Sequence, residues 1–408
     1  MRYRPPQSAM KINKSNPLHW LYLALQFFNT MVAVAWRPFK QRLRRKNNPK
    51  IVMLYGHKLS GNLLALYRYM QQHTQKEFRP IYLSLDPAYH RELKKSGEDS
   101  YSAISLRAIS LLSSADAMIT DHGLHAMTPL LYFSNLPFFD VWHGIPFKGF
   151  DADDFRTQHR YEETWVASPL LQRLYIEKFG FPAEKVVVTG YARTDALVAP
   201  SESPDEIRRR FNLQHAAGKR IVLFAPTWKQ DDEERSLFPF GIEPDRFLKD
   251  VSAICQRHGA VLVVRAHINS LLKADARSAL VNLASFDRFP DTEGLLQITD
   301  ILVCDWSSIA FDFLILDRPA IFLDMPAPFG KRFSLGPEYR YGKLVASHET
   351  LLKALSEMLL SDTRVVQQQA AARHRIRKEV YGEYANGQSA RRCVERLCHH
   401  QFKAESSQ

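Results

Sequence analysis

The sequence is poor in the signatures that announce a metal, a disulfide framework or a nucleotide-triphosphate loop. Its four cysteines, Cys255, Cys304, Cys393 and Cys398, show no CxxC spacing. Cys304 lies inside an apolar run and reads as a buried thiol of a reducing compartment. Walker glycine-rich loops and Gly-x-Ser-x-Gly elbows are missing, which argues against P-loop and α/β-hydrolase chemistry. No Asp-x-Asp or His/Cys cluster points to a metal site, and Asp151, Asp153 and Asp154 are read as a solvated acidic loop. No repeat or low-complexity tract appears. At 408 residues the chain exceeds the usual single-domain size, so two domains are expected.

Acidic residues are missing from the first fifty positions, where eleven Lys/Arg lie. The net charge of +12 is therefore confined almost wholly to this arm, and the body is close to neutral. A nucleic-acid-binding face is not expected from such a distribution. Within the arm, Leu18 to Trp36 carries no charge apart from His19 and is bracketed by basic residues. As a helix it would rise about 28 Å, close to the thickness of a hydrocarbon core. His19, Gln26, Asn29 and Thr30 recur at helical spacing as a polar seam, while Trp20, Tyr22 and Trp36 favour a membrane interface. Association with the cytoplasmic face of the membrane is expected, with a helix lying in the surface preferred over a single span. An N-terminal helix packed on the body is the plainer alternative.

What the chain has is a run of short apolar strands, each ending in polar or ionisable residues. Ile51–Tyr55, Pro80–Leu85, Ala117–Thr120, Phe138–Trp142, Thr164–Ala167 and Lys185–Thr189 alternate with helical stretches. The pattern restarts after the Pro/Ser-containing segment 199–205 with Arg220–Pro226, Ala260–Arg265, Ile301–Cys304 and Ala320–Leu323. Nearly continuous apolar strands predict parallel sheets covered on both faces. Ligands of such sheets collect at the carboxyl ends of the strands.

Several residues occupy such edges. His143 follows Trp142 and precedes Gly144 and Pro146; a neutral imidazole there can take a proton from an attacking hydroxyl, although a structural histidine explains it equally well. Arg265 and His267 end the Ala260–Arg265 strand and suit a diphosphate, or form a surface pair. Thr227 and Lys229 follow Phe224-Ala225-Pro226 and are candidate phosphate or base contacts, beside Trp228. Arg193 follows Gly190, where an Arg–Asp pair with Asp195 is the bland alternative. Asp305, Ser307 and Ser308 open a helix; one hydroxyl suffices for an N-cap, and two in tandem also suit an anion.

The order of these motifs resembles the CDP-glycerol:poly(glycerophosphate) glycerophosphotransferase family, the teichoic-acid primases and polymerases. The residues carrying the resemblance are Trp142-His143-Gly144-x-Pro146-x-Lys148, Gly190-x-x-Arg193-x-Asp195, Ala225-Pro226-Thr227-Trp228 and Arg265-x-His267. They continue with Pro290-Asp291, Thr299-Asp300, Asp305-x-Ser307-Ser308-x-x-x-Asp312 and Asn386-Gly387-Gln388-Ser389-Ala390-Arg391. The match covers roughly residues 50–395.

The resemblance implies a GT-B-like α/β architecture, two Rossmann-like domains facing a central cleft. Its expected parts are a basic arm over 1–49, an acceptor domain over 50–198, a linker over 199–215, a CDP-donor domain over 216–365 and C-terminal helices over 366–408. It implies transfer of a polyol phosphate, glycerol phosphate first among them, from CDP-glycerol or a related CDP-polyol to a hydroxyl of a lipid-linked acceptor, releasing CMP. His143 would then be the base, His267 would contact or protonate the donor phosphates, and Arg193, Thr227, Lys229, Arg265, Asp305, Ser307 and Ser308 would surround them. No cofactor is required by this reading, and assistance by a divalent cation stays open. Ile145, Ala192, Lys229, Ile268 and Trp306 depart from the family pattern without removing an ionisable group, which leaves the polyol and acceptor undetermined. A nucleotide-sugar glycosyltransferase of the same architecture and an inactive membrane-docked scaffold are the alternatives.

Overall fold

The computed structural model describes residues 15–43, 48–227, 238–265, 282–285, 289–330, 332–360 and 363–406. They fall into two compact units. Residues up to His143, Ala152–Asp195 and the chain from Gln388 onward form the first; Gly144–Asp151 and Ala196–Gly387 form the second.

The first unit is built on seven strands, β1 (Lys50–Tyr55), β2 (Phe78–Ser84), β3 (Ser100–Ser102), β4 (Ala117–Thr120), β5 (Phe138–Asp140), β6 (Glu163–Val166) and β7 (Val186–Val188). All pair in parallel, in the order β3-β2-β1-β4-β5-β6-β7. The strand order reverses between β1 and β4, the topological switch point at which open α/β sheets take their ligands. Val52, Leu54, Ile119 and Phe139 fill one face of this sheet, and Met53, Tyr55, Met118 and Phe138 the other. This two-sided burial is what the unbroken apolar strands predict.

The second unit repeats the plan with β8 (Arg220–Phe224), β9 (Ala260–Val264), β10 (Asn282–Leu283), β11 (Ile301–Cys304), β12 (Ala320–Leu323) and β13 (Lys343–Val345). Its order is β10-β9-β8-β11-β12-β13, again all parallel, with the reversal between β8 and β11. Three strands escaped the sequence reading: β3, β10 and β13. Each is a two- or three-residue edge strand (Ser-Tyr-Ser, Asn-Leu, Lys-Leu-Val), too short to show an apolar run.

The division of the chain differs from the one read in the composition. The segment 199–215 is no bare linker: Ser203 and Glu206 close a capping box on the helix Pro204–Arg210. The C-terminal helix Ser389–Ser406 belongs to the first unit rather than to a separate tail. Asp195 accepts from the backbone N–H of Ser389 (3.0 Å) and Ala390 (2.8 Å). Further along, Arg396 and His400 both meet the buried carboxylate of Glu163.

Helix α1 (Pro17–Leu43) is inverted relative to an ordinary surface helix. Its buried residues are Gln26, Asn29, Thr30, Ala33 and Arg37, whereas Leu18, Trp20, Phe28, Trp36 and Phe39 are each more than half exposed. Of the buried polar groups, Gln26, Asn29 and Arg37 find partners in the first unit, whereas Thr30 Oγ1 makes no hydrogen bond among the described residues. Asn29 donates to the carbonyls of Ala103 (3.1 Å) and Ser105 (3.0 Å), and Arg37 to that of Ala115 (2.7 Å) and to Asn135 (2.9 Å). The seam legible in the sequence is thus the docking face.

Candidate active site

At the switch point of the first sheet, four histidines gather. His57 follows β1, His122 and His125 follow β4, and His143 follows β5. The rings of His57 and His122 meet edge to face with centroids 3.9 Å apart, and those of His122 and His143 stack at 4.3 Å. Asp121, beside them, holds His122 Nδ1 at 2.7 Å through its carboxylate. Gly56 is required here, because a Cβ at that position would come within 2.1 Å of the Asp121 carboxylate.

His143 Nδ1 lies 3.1 Å from the carbonyl oxygen of Asp121. A carbonyl can only accept, so Nδ1 carries the proton and Nε2 presents its lone pair. His143 is itself exposed, while protein packed around it and then the neighbouring His122 push its pKa below the ordinary histidine range. Burial pushes Asp121 up to about 7 and Asp140 up to about 8. The site therefore carries a neutral base of fixed tautomer beside acids that readily hold a proton.

The turn bearing His143 is held in an unusual conformation. Trp142 has φ of +40°, a left-handed geometry that costs an ordinary residue about 1–3 kcal/mol. Two residues clamp it. Asn62, on the helix Gly61–His73, donates to the carbonyls of Val141 (2.8 Å) and Trp142 (2.9 Å) and accepts from the backbone N–H of Arg193 (3.1 Å). Arg193 donates from Nη1 to the carbonyl of His143 (2.7 Å). The bland Arg193–Asp195 pair is therefore not formed; Asp195 serves the C-terminal helix, and Arg193 braces the histidine. Asn62 and the three other histidines were missed in the sequence because none lies in a turn as distinctive as Trp-His-Gly-x-Pro; Asn62 is in the first turn of a helix, and His57, His122 and His125 lie among ordinary polar residues after β1 and β4.

The second sheet has its own cluster at its own switch point. Asp305, after β11, is buried and its Oδ1 accepts from the backbone N–H (2.7 Å) and the hydroxyl (2.5 Å) of Thr227, after β8. Trp306 is anchored by its indole N–H on the Met325 carbonyl (2.8 Å) and covered by the Arg340 guanidinium at 4.3 Å. Ser307 and Ser308 lead into the helix Ile309–Leu314, and Ser308 makes no side-chain capping bond. A simple N-cap role does not account for it.

Arg265 is placed differently from its sequence expectation. Its guanidinium donates to the carbonyls of Ala284 (3.3 Å) and Phe289 (3.1 Å) and to the Thr292 hydroxyl (2.7 Å). Burial lowers its pKa to about 10. These bonds tie it to Ala284, Phe289 and Thr292. Asp291, of the Pro-Asp motif, caps the helix Thr292–Gln297 through Gly294 N–H (2.9 Å). Lys229 and His267, with Trp228 and Ile268, lie outside the described residues. Asp153 is exposed and pairs with Arg156. Among the described residues no group of three or more His, Cys, Asp or Glu is arranged to hold a metal ion.

The fold matches that of the wall teichoic acid polymerase TagF, with a TM-score of 0.70 at 20% identity over 97% of this chain and all of that one. Among curated relatives, the teichoic acid glycerol-phosphate transferase of Staphylococcus aureus is 25% identical over 69% of this chain and 75% of its own length. The ribitol-phosphate polymerase TarL of the same organism is 27% identical over 73% of this chain, which spans only 54% of TarL. A poly(glycerol phosphate) polymerase of Bacillus spizizenii is 23% identical over 74% of this chain and 80% of its own length. A family model matches residues 38–399, so both sheets and their edge clusters fall within it, and the chain belongs to the CDP-glycerol:poly(glycerophosphate) glycerophosphotransferase family.

Proposed function

We propose that this chain transfers a polyol phosphate, most simply glycerol phosphate from CDP-glycerol, to a hydroxyl of a lipid-linked glycan or polymer. The observation that carries the reading is His143, a neutral imidazole with Nδ1 tied to the Asp121 carbonyl and Nε2 free to accept. In the reaction, Nε2 takes the acceptor hydroxyl's proton as that oxygen forms a bond to the phosphorus bearing the polyol. The bridging P–O bond breaks with its electron pair going to CMP. Such chemistry depends on alignment and on stabilising developing charge more than on covalent steps. In the second unit, Thr227, Asp305, Ser307 and Ser308 are the described candidates for holding the donor. Lys229 and His267 complete the set by family motif, with His267 contacting or protonating the diphosphate. A nucleotide-sugar glycosyltransferase would release a nucleoside diphosphate instead. CMP release from CDP-glycerol, with CDP-ribitol and a UDP-sugar in parallel, separates the two: turnover of the UDP-sugar alone would overturn the reading.

The inverted helix supports a seat on the membrane surface for the same enzyme. With its polar seam bonded inward, α1 turns Trp20, Phe28 and Phe39 outward. Leu106 (77% exposed) and Phe133 (70% exposed) lie on the two helices that α1 contacts. An apolar face flanked by Lys40 and Arg42 is the pattern of a helix lying in an anionic lipid interface. A span across the bilayer would strip Gln26, Asn29 and Arg37 of their partners, at high cost. This geometry favours attachment in the plane of the cytoplasmic surface, where a lipid-linked acceptor is presented.

A further inference from the structure

The membrane-seating helix and the catalytic histidine are joined by a path of hydrogen bonds and imidazole ring contacts. Gln26, buried on the inner face of α1, accepts at Oε1 from the backbone N–H of Ala126 (3.2 Å). A backbone N–H only donates, so the amide nitrogen faces the other way, and it donates to the Tyr55 hydroxyl at 3.0 Å. Tyr55 is fully buried at the end of β1 and burial keeps its hydroxyl protonated. The Tyr55 hydroxyl also meets His125 Nδ1 at 3.0 Å, as donor or acceptor according to the imidazole tautomer. From His125 the path continues by ring contact to His57 (6.5 Å, 75°), from His57 to His122 (3.9 Å, 70°), and from His122 to His143 (4.3 Å, 12°).

The path also holds strain. His125 has φ of +50°, a left-handed geometry unfavourable for a residue with a Cβ. The bond from Gln26 falls on the very next residue, Ala126, and so clamps the turn that carries His125. Remove Gln26, and the turn loses its clamp while Tyr55 is free to reorient its proton. We propose that Gln26 is a positioning residue for His143, acting through Tyr55 and the His125–His57–His122 array, so that α1 is part of the active-site scaffold as well as a membrane seat. The inference rests on the reading of His143 as the base.

The test uses the full chain in mixed micelles with CDP-glycerol and a lipid-linked acceptor, following CMP release. Gln26→Met and Tyr55→Phe are each expected to lower kcat about tenfold, the scale of a small misalignment of reacting groups, with KM for CDP-glycerol unchanged. The double variant should be no worse than the poorer single one, because both interrupt one path. Asn29→Ala removes two neighbouring seam bonds, to the carbonyls of Ala103 and Ser105, that lead away from the histidines; it should lower the melting temperature while keeping kcat. Wild-type kcat in Gln26→Met, additive losses in the double variant, or an equal kcat loss in Asn29→Ala would overturn the proposal. His143→Ala is measured alongside. If it is inactive while Gln26→Met is fully active, only this inference falls; if it is active, the reading of the base falls.

Discussion

The rings of His122 and His143 stack with centroids 4.3 Å apart and planes 12° from parallel, so a proton on either disfavours a proton on the other. His122 lies below the ordinary histidine range through burial and then His125, and His143 through desolvation by the protein packed around it and then His122. The acidic limb of kcat/KM should accordingly fall below the ordinary histidine value of about 6.5. Replacing His122 by Leu removes its share of the depression. A pH–rate profile should show the limb move up toward that value; an unmoved limb would mean that the stack has no electrostatic effect on the base.

Asn62 holds three backbone groups of the first-unit site at once. Asn62→Ala leaves the carbonyls of Val141 and Trp142 and the Arg193 N–H without that partner, at a cost of about 2–3 kcal/mol in stability. Urea unfolding should show this loss. Turnover should fall with little change in KM for CDP-glycerol, since the clamp acts on the His143 turn.

Asp140 is wholly buried, and burial raises its pKa against the lowering effect of the Trp142 backbone N–H. Its pKa stands at about 8 in the folded chain against an ordinary 3.8. The neutral acid is the form the fold accepts, so its contribution is fully present below 3.8 and is lost progressively as pH rises through about 8. In Asp140→Asn, the melting temperature should fall less than in the wild type between about pH 5 and about pH 8. Parallel curves would show that Asp140 is not the source.

The outward face of α1 should govern lipid affinity without governing the fold. Phe28→Ser with Trp36→Ser is expected to weaken sedimentation with anionic liposomes by about tenfold or more, the scale of the buried area removed. The circular dichroism spectrum should be unchanged. Removing the helix altogether is a different experiment. It strips partners from Tyr55, Ala103, Ala115 and Asn135 and should destabilise the first unit.

The sheets were legible because a strand buried on both faces must be almost entirely apolar, as Ile51–Tyr55 and Ile301–Cys304 are. The edge strands left no such trace. His143 was legible because the Trp-His-Gly-x-Pro turn concentrates its signal in one place. Its supporting groups were not: His57 and Asn62 follow β1, His122 and His125 follow β4 and Arg193 follows β7, and only the parallel topology brings them to one edge. Arg265 shows the converse. Its spacing from a strand end suited a ligand, but the carbonyls of Ala284 and Phe289, distant in sequence, engage its guanidinium. For α1, the polar seam was visible at helical spacing, whereas its direction was not. The seam marks the protein side because Gln26 and Asn29 find specific partners there, as does Arg37 beyond it.

The most direct test of the account is CMP release from CDP-glycerol in the presence and absence of a lipid-linked acceptor, comparing the wild type with His143→Ala. The account predicts acceptor-dependent CMP in the wild type and a loss of at least about a hundredfold in the variant, the scale of removing a general base. Acceptor-dependent CMP release that survives in His143→Ala would contradict it.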